Sequence, residues 1–143
     1  KMSDNGDGVD LSGSEVLVMN NTFDGFLDKA LSIGENTTAF INENEFRNNR
    51  SAITVKDESS LYARHNYYVN NTLNIETYQK KKIFKDPRVF ILDETHEARK
   101  ISKISGIFYE SGSKNDKDLT SLENVDEMLK ELSLKNWTIS EEL

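Results

Sequence analysis

Apolar and polar residues alternate along the first half of the chain, and the alternation itself repeats. Val9 and Leu11 flank Asp10, Leu31 and Ile33 flank Ser32, Ile53 and Val55 flank Thr54, and a fourth unit opens at Ile75, each about 22 residues after the last. A second alternating run follows in every unit, with Val16 and Val18, Ala39 and Ile41, then Leu61 and Ala63 at its apolar positions. A period of two is the strand signal, because successive side chains point to opposite faces of a sheet. Polar corners separate the runs: Ser12-Gly13-Ser14, Gly34-Glu35-Asn36 and Lys56-Asp57-Glu58-Ser59. These are turn residues. Two short strands and several corners in so short a unit predict a coil with three faces and leave no room for a helix. Self-similarity at this period predicts a solenoid, in which one unit cannot bury its apolar face alone and stacks on its neighbours. The expected fold is all-β, a parallel β-helix.

Landmarks between the strands keep the same step. Asn21, Asn44 and Asn66 fall just after the second strand of successive units. An amide there donates to the coil on one side and accepts from the other, so stacked asparagines satisfy one another in a ladder. Phe23, Phe46 and Tyr68, two residues further on, are expected to stack as an aromatic column. On the opposite parity of the second strand, Leu17, Phe40 and Tyr62 align facing outward, with Met19, Asn42 and Arg64 two positions along. An outward apolar ladder is either covered by another part of the chain or used to bind something. Aromatic faces beside polar groups suit sugar rings, which makes Leu17, Phe40, Tyr62 and Arg64 the candidate ligand-binding residues.

The phrase Asp7-Gly8-Val9-Asp10-Leu11-Ser12-Gly13-Ser14, the recurrent Asn-x-Phe/Tyr and the run Asp28-Lys29-Ala30-Leu31-Ser32-Ile33-Gly34 carry a resemblance. Over roughly residues 3–82 the chain resembles right-handed parallel β-helix proteins of the pectin-lyase-like superfamily. The resemblance implies the fold, and a range of roles from polysaccharide lyases, hydrolases and epimerases to adhesins and inert scaffolds. Polygalacturonase-type hydrolases of that superfamily carry Asn-Thr-Asp-Gly-x-Asp and, a coil later, an Asp-Asp pair. Asn5-Gly6-Asp7-Gly8-Val9-Asp10 is similar to the first element, whereas Lys29 follows Asp28 where the second aspartate would stand. No Gly-His-Gly or Arg-x-Lys element follows either, and His65 sits in Arg64-His65-Asn66. Glycoside hydrolysis needs two carboxylates, one of them protonated, and Lys29 would hold Asp7 and Asp28 ionised. Asp7, Asp10 and Asp28 are therefore the catalytic candidates only of an alternative in which this chain forms part of a lyase, hydrolase or epimerase site completed upstream.

Asp4, Asp7 and Asp10 lie close together in a Gly-rich stretch, the oxygen-rich clustering that suits calcium. Their spacing is not that of the helix-loop-helix calcium loop, and an Asp/Gly-rich corner entering a strand accounts for the same residues. The balance of 18 basic against 25 acidic residues gives a net charge of −7. That charge argues against a nucleic-acid partner and against a polyanionic ligand without an intervening cation. The absence of cysteine excludes disulfides and thiolate metal sites. No apolar run reaches the roughly 18 residues of a membrane span. The chain enters its repeat almost at once, which reads as the C-terminal piece of a longer solenoid, with further β-helix coils upstream as its first partner.

The repeat fails after Ile75, where Lys80-Lys81-Lys82-Ile83-Phe84-Lys85-Asp86-Pro87 intervenes before Val89 and Ile91 resume the second strand. This basic cluster reads as a solvated loop or as a small reader of anionic groups. Residues 101–109 are expected to add an edge strand, and residues 111–116 to form a linker. Thr120-Ser121-Leu122-Glu123 is a capping-box pattern, and Leu122, Val125, Met128, Leu129 and Leu132 make one helical stripe, followed by Trp137. Solenoid ends need covering, so the segment is expected to be a helical cap packed over the last coil or along the Leu17/Phe40/Tyr62 face. The expected organisation is coils over residues 1–92, an edge strand and linker over 93–118, and the cap over 119–143. Asn-x-Ser/Thr sequons at Asn20, Asn36, Asn49, Asn70 and Asn136 are what so Asn-rich a chain generates by chance. The expected function is a non-catalytic extracellular or cell-surface scaffold that binds polysaccharide along its side.

Overall fold

The computed structural model describes residues 7–110. They form a parallel β-solenoid of about five turns. One face is a five-stranded sheet ordered β1 (Val9–Ser12), β4 (Lys29–Gly34), β7 (Ser51–Lys56), β10 (Leu73–Tyr78) and β12 (Ile101–Lys103). The second face has β2 (Glu15–Met19), β5 (Thr38–Asn42), β8 (Ser60–Arg64), β11 (Arg88–Leu92) and β13 (Ile107–Glu110). The third has only three short strands, β3 (Thr22–Asp24), β6 (Glu45–Arg47) and β9 (Tyr67–Val69). Every pairing between them is parallel. A single 3₁₀ turn, Ala98–Lys100, is the one helical element among the described residues.

Register turns the sequence repeat into columns. Val9, Leu31, Ile53, Ile75 and Ile101 stand in line on the first sheet, and Val16, Ala39, Leu61, Val89 and Phe108 on the second. Together with Phe23 and Phe46 of the third sheet, the inward residues of the central coils make one buried core. Phe23 and Phe46 stack with centroids 5.0 Å apart, and Phe46 and Tyr68 with centroids 5.4 Å apart, as the aromatic column requires. Gly8 marks the close approach of the first coil to the second. A β-carbon there would lie 2.6 Å from the Ala30 carbonyl oxygen and 2.7 Å from the Phe26 ring.

Asparagine ladders hold the corners. The Asn44 side-chain oxygen accepts the Asn21 backbone N–H (2.9 Å), and the Asn66 oxygen accepts that of Asn44 (2.9 Å). The Asn44 amide also donates to the Val18 carbonyl (2.8 Å), and that of Asn66 to the Ile41 carbonyl (2.8 Å). A second ladder, hidden in the sequence by its many asparagines, runs through Asn49 and Asn71. Asn49 accepts the Phe26 N–H (2.9 Å) and donates to the Phe23 carbonyl (3.1 Å), while Asn71 accepts the Asn49 N–H (3.0 Å) and its side-chain amide (2.9 Å).

Three expectations are refined. The unit has a third strand beyond the two that its alternation predicts. The single edge strand expected over 101–109 is two strands, β12 and β13, joined through a turn at Gly106 and extending two different sheets. The insertion is a loop whose backbone is pinned to the acidic corner beneath it: the N–H groups of Lys80 and Lys81 donate to Asp57 Oδ1 (2.7 and 2.8 Å), and that of Lys85 to Glu58 Oε1 (3.0 Å). The expected helical cap and its linker lie outside the described residues.

Candidate functional site

Two of the predicted catalytic aspartates, Asp7 and Asp28, sit beside the first sheet within a network of ion pairs. Lys29 Nζ lies 2.9 Å from Asp28 and 3.7 Å from Asp7, and the Arg50 guanidinium lies 3.2 Å from Asp28 and 2.5 Å from Glu76. The Thr54 hydroxyl donates a further hydrogen bond to Glu76 (3.0 Å). The Lys29 hydrogen bond, reinforced by Arg50 and opposed by desolvation, lowers the Asp28 carboxyl below its ordinary value. Asp28 is therefore an ionised partner of two cations rather than a proton donor. Asp10 is exposed in register with Ser32. Asp4 lies outside the described residues. Among the described residues no three histidine or acidic side chains converge as a metal site would require.

The predicted side-face residues form a second column. Leu17, Phe40, Tyr62, Phe90 and Tyr109 are in register on the outward side of the second sheet. Their rings stack almost parallel at 4.9 Å for Phe40–Tyr62, 4.6 Å for Tyr62–Phe90 and 4.8 Å for Phe90–Tyr109. Phe40 and Tyr62 retain only 0% and 2% of their surface. Burial raises the Tyr62 hydroxyl above the ordinary phenol range. Arg64 ends β8, half-buried, between Asn42 and Leu92.

Among the described residues, an accessible aromatic stands one residue from the column that the sequence singled out. Tyr67 begins β9 with 66% of its surface exposed. It borders two hollows beside the third sheet. One is an open groove of about 490 Å³ whose lining includes Asn20, Glu43, Arg47 and His65; the other is a cleft of about 460 Å³ lined in part by Asn70, Asn74, Glu97 and Arg99. Tyr67 lines both. Asn20, Glu43, His65 and Asp93 occupy the same corner in successive coils, each with φ between 55° and 57°. This left-handed conformation costs a non-glycine residue roughly 1–2 kcal/mol. It turns the chain in a single residue, and all four side chains are exposed along the rim of the hollows.

Beneath the cleft the ladder changes character. Glu94 stands where the next asparagine would, and it accepts from the Asn66 N–H (2.8 Å), the Asn66 amide (2.7 Å) and the Tyr68 hydroxyl (3.0 Å). His96 lies against Tyr68 with ring centroids 4.5 Å apart and meets Glu94 Oε1 through Nε2 at 2.9 Å. Asn71 donates to Asn74 Oδ1 (3.4 Å), which turns the Asn74 amide nitrogen toward His96 Nδ1 (3.3 Å). Nδ1 then accepts, and Nε2–H is the donor to Glu94. The Glu94 and His96 side chains retain 1% and 3% of their surface. Burial first, and Glu94 second, push the Tyr68 hydroxyl well above the ordinary phenol range.

No family model, curated protein or solved structure matches the chain. Among the described residues no helix is long and apolar enough to cross a membrane.

Proposed function

We propose that this chain is a non-catalytic β-helix scaffold of the pectin-lyase-like kind, displayed outside the cell or on its surface, that binds polysaccharide along its side. The observation that carries the reading is Tyr67, an exposed ring flanked by amides and charged groups that lines two hollows. Such an arrangement offers an apolar face to a sugar ring and hydrogen-bond partners to its hydroxyls. The reading puts sugar contact on the third face, a choice supported by the burial of Phe40 and Tyr62. The ionised state of Asp28 favours binding over hydrolysis, because a hydrolase pair needs one protonated carboxyl. The capping box and apolar stripe of residues 119–143 support a helical cap as the remainder of this design.

The test is a glycan-array assay on the full chain with and without calcium, comparing wild type with Tyr67→Ala and Phe40→Ala. The proposal expects binding that is lost in Tyr67→Ala, and no glycan bound under either condition refutes it. Binding that requires calcium would bring Asp4, Asp7 and Asp10 back as its ligands.

A further inference from the structure

The glycan reading leaves open which sugars the side face accepts, and the charges around the hollows bear on that choice. The cations among the lining residues are already committed. Arg47 is ion-paired with Glu45, and Arg99 with Glu97 at 2.6 Å. Lys100 Nζ donates to the Asn71 carbonyl (2.5 Å), and His65 lies 3.4 Å from Asp93. Five lining carboxylates, of Glu43, Glu45, Asp93, Glu94 and Glu97, outnumber the three permanent cations. A polyuronate chain laid here would meet excess negative charge, because the exposed arginines already share their charge with neighbouring glutamates. The remaining surface suits hydroxyl and amide groups. Asn20 and Asn70 are exposed at corners on either side of Tyr67, and the carboxylates accept hydrogen bonds from neutral donors.

Tyr67 lines both hollows, so a ligand laid across that ring reaches toward each of them. It would run along the solenoid axis, across strands spaced about 4.8 Å apart. Resting on the glycan-binding proposal above, we infer that this path takes an uncharged, hydroxyl-rich glycan and excludes acidic ones, with Tyr67 as the platform joining its two halves. This selectivity opposes the uronate preference that a resemblance to pectin-degrading proteins would suggest.

The experiment compares neutral cello- and chito-oligosaccharides with oligogalacturonate by titration calorimetry on the full chain, at low and high salt. The expected result is binding of a neutral oligosaccharide that is insensitive to salt, is weakened at least about tenfold by Tyr67→Ala and is retained by Tyr67→Phe. Tyr67 is exposed, so neither variant threatens folding. Oligogalacturonate binding that matches or exceeds neutral binding and fades with salt overturns the inference while leaving the glycan-binding proposal standing. Neutral binding unchanged by Tyr67→Ala also overturns it, by placing the sugar elsewhere. If nothing binds, the glycan-binding proposal itself fails and takes the inference with it.

Discussion

Two junctions of the solenoid solve the same problem differently. Between the coils carrying Asn44 and Asn66, like stacks on like: amide on amide, and Phe46 on Tyr68 with rings 11° from parallel. One coil further on, Glu94 replaces the asparagine, and His96 replaces the aromatic at a 60° tilt. An asparagine accepts from one coil and donates to the other, so its ladder propagates; a carboxylate only accepts, so the ladder stops. The third sheet stops at the same place, with β9 as its edge beside the cleft that Tyr67 and Glu97 line. The difference teaches that a homotypic ladder builds repetitive scaffold, and that its interruption leaves the concavity in which a site can form.

The largest effect comes from breaking the homotypic junction at its ring. Phe46 is fully buried between Phe23 and Tyr68, and Phe46→Ala removes both stacks and leaves a cavity. A loss of about 3–5 kcal/mol is expected, read as a lowered urea midpoint. Next comes the second ladder. Asn49→Ala orphans the buried Phe26 N–H, removes a second donor from the Phe23 carbonyl and is expected to cost roughly 2–3 kcal/mol. Asn21→Ala, at an exposed rung of the other ladder, is the control and should cost well under half as much. Equal losses at the two positions would show that burial, and with it the ladder argument, is not what sets the cost.

These residues also show what was legible in the sequence. The strands of the first two sheets were visible because each inward column repeats similar apolar types at a constant step. The third sheet was not, since three residues with one inward aromatic are too short to show alternation. The Asn49/Asn71 ladder keeps the same spacing as the first, but its asparagines were lost in an Asn-rich background. Glu94 was invisible for a physical reason: the insertion after Tyr78 lengthens the step, and the residue that inherits the ladder position is of a different type. At the side face, parity correctly put Phe40 and Tyr62 outward, but parity does not report burial. Tyr67 stands next to the aromatic of the Asn-x-Tyr motif, on the polar parity, where nothing marked it.

The heterotypic junction is sharpened by Glu94→Gln. The carboxylate's two oxygens serve four donors, and an amide turns one of those acceptors into a donor facing the Tyr68 hydroxyl and His96 Nε2–H. A cost of about 1–3 kcal/mol is expected. Because Glu94 contacts only the last ladder rung, hydrogen exchange should speed up at the Asn66 amide and leave Asn44 unchanged. Uniform acceleration across both rungs would mean that the junction is not a separate unit.

The smallest effect makes the two junctions alike. Tyr68→Phe gives the heterotypic junction the ring that Phe46 already supplies one coil earlier, and deletes the hydroxyl that donates to Glu94. At neutral pH the loss should be about 1 kcal/mol. The informative signal is at alkaline pH. The Tyr68 phenol is raised well above the ordinary 10.0, by burial first and by Glu94 second. A group whose folded pKa is raised contributes stability that is fully present below the unfolded pKa and is lost as pH rises through the folded one. Wild-type stability should therefore decline above about pH 10 as the unfolded phenol ionises and the buried one does not. Tyr68→Phe should flatten that decline, leaving the smaller contributions of Tyr62 and Tyr78, whose hydroxyls burial also raises. Urea midpoints from about pH 8 to 11 measure it. An unchanged alkaline slope in the variant would mean that Tyr68 ionises as freely folded as unfolded, and the buried acceptor network at the end of the ladder would lose its physical basis.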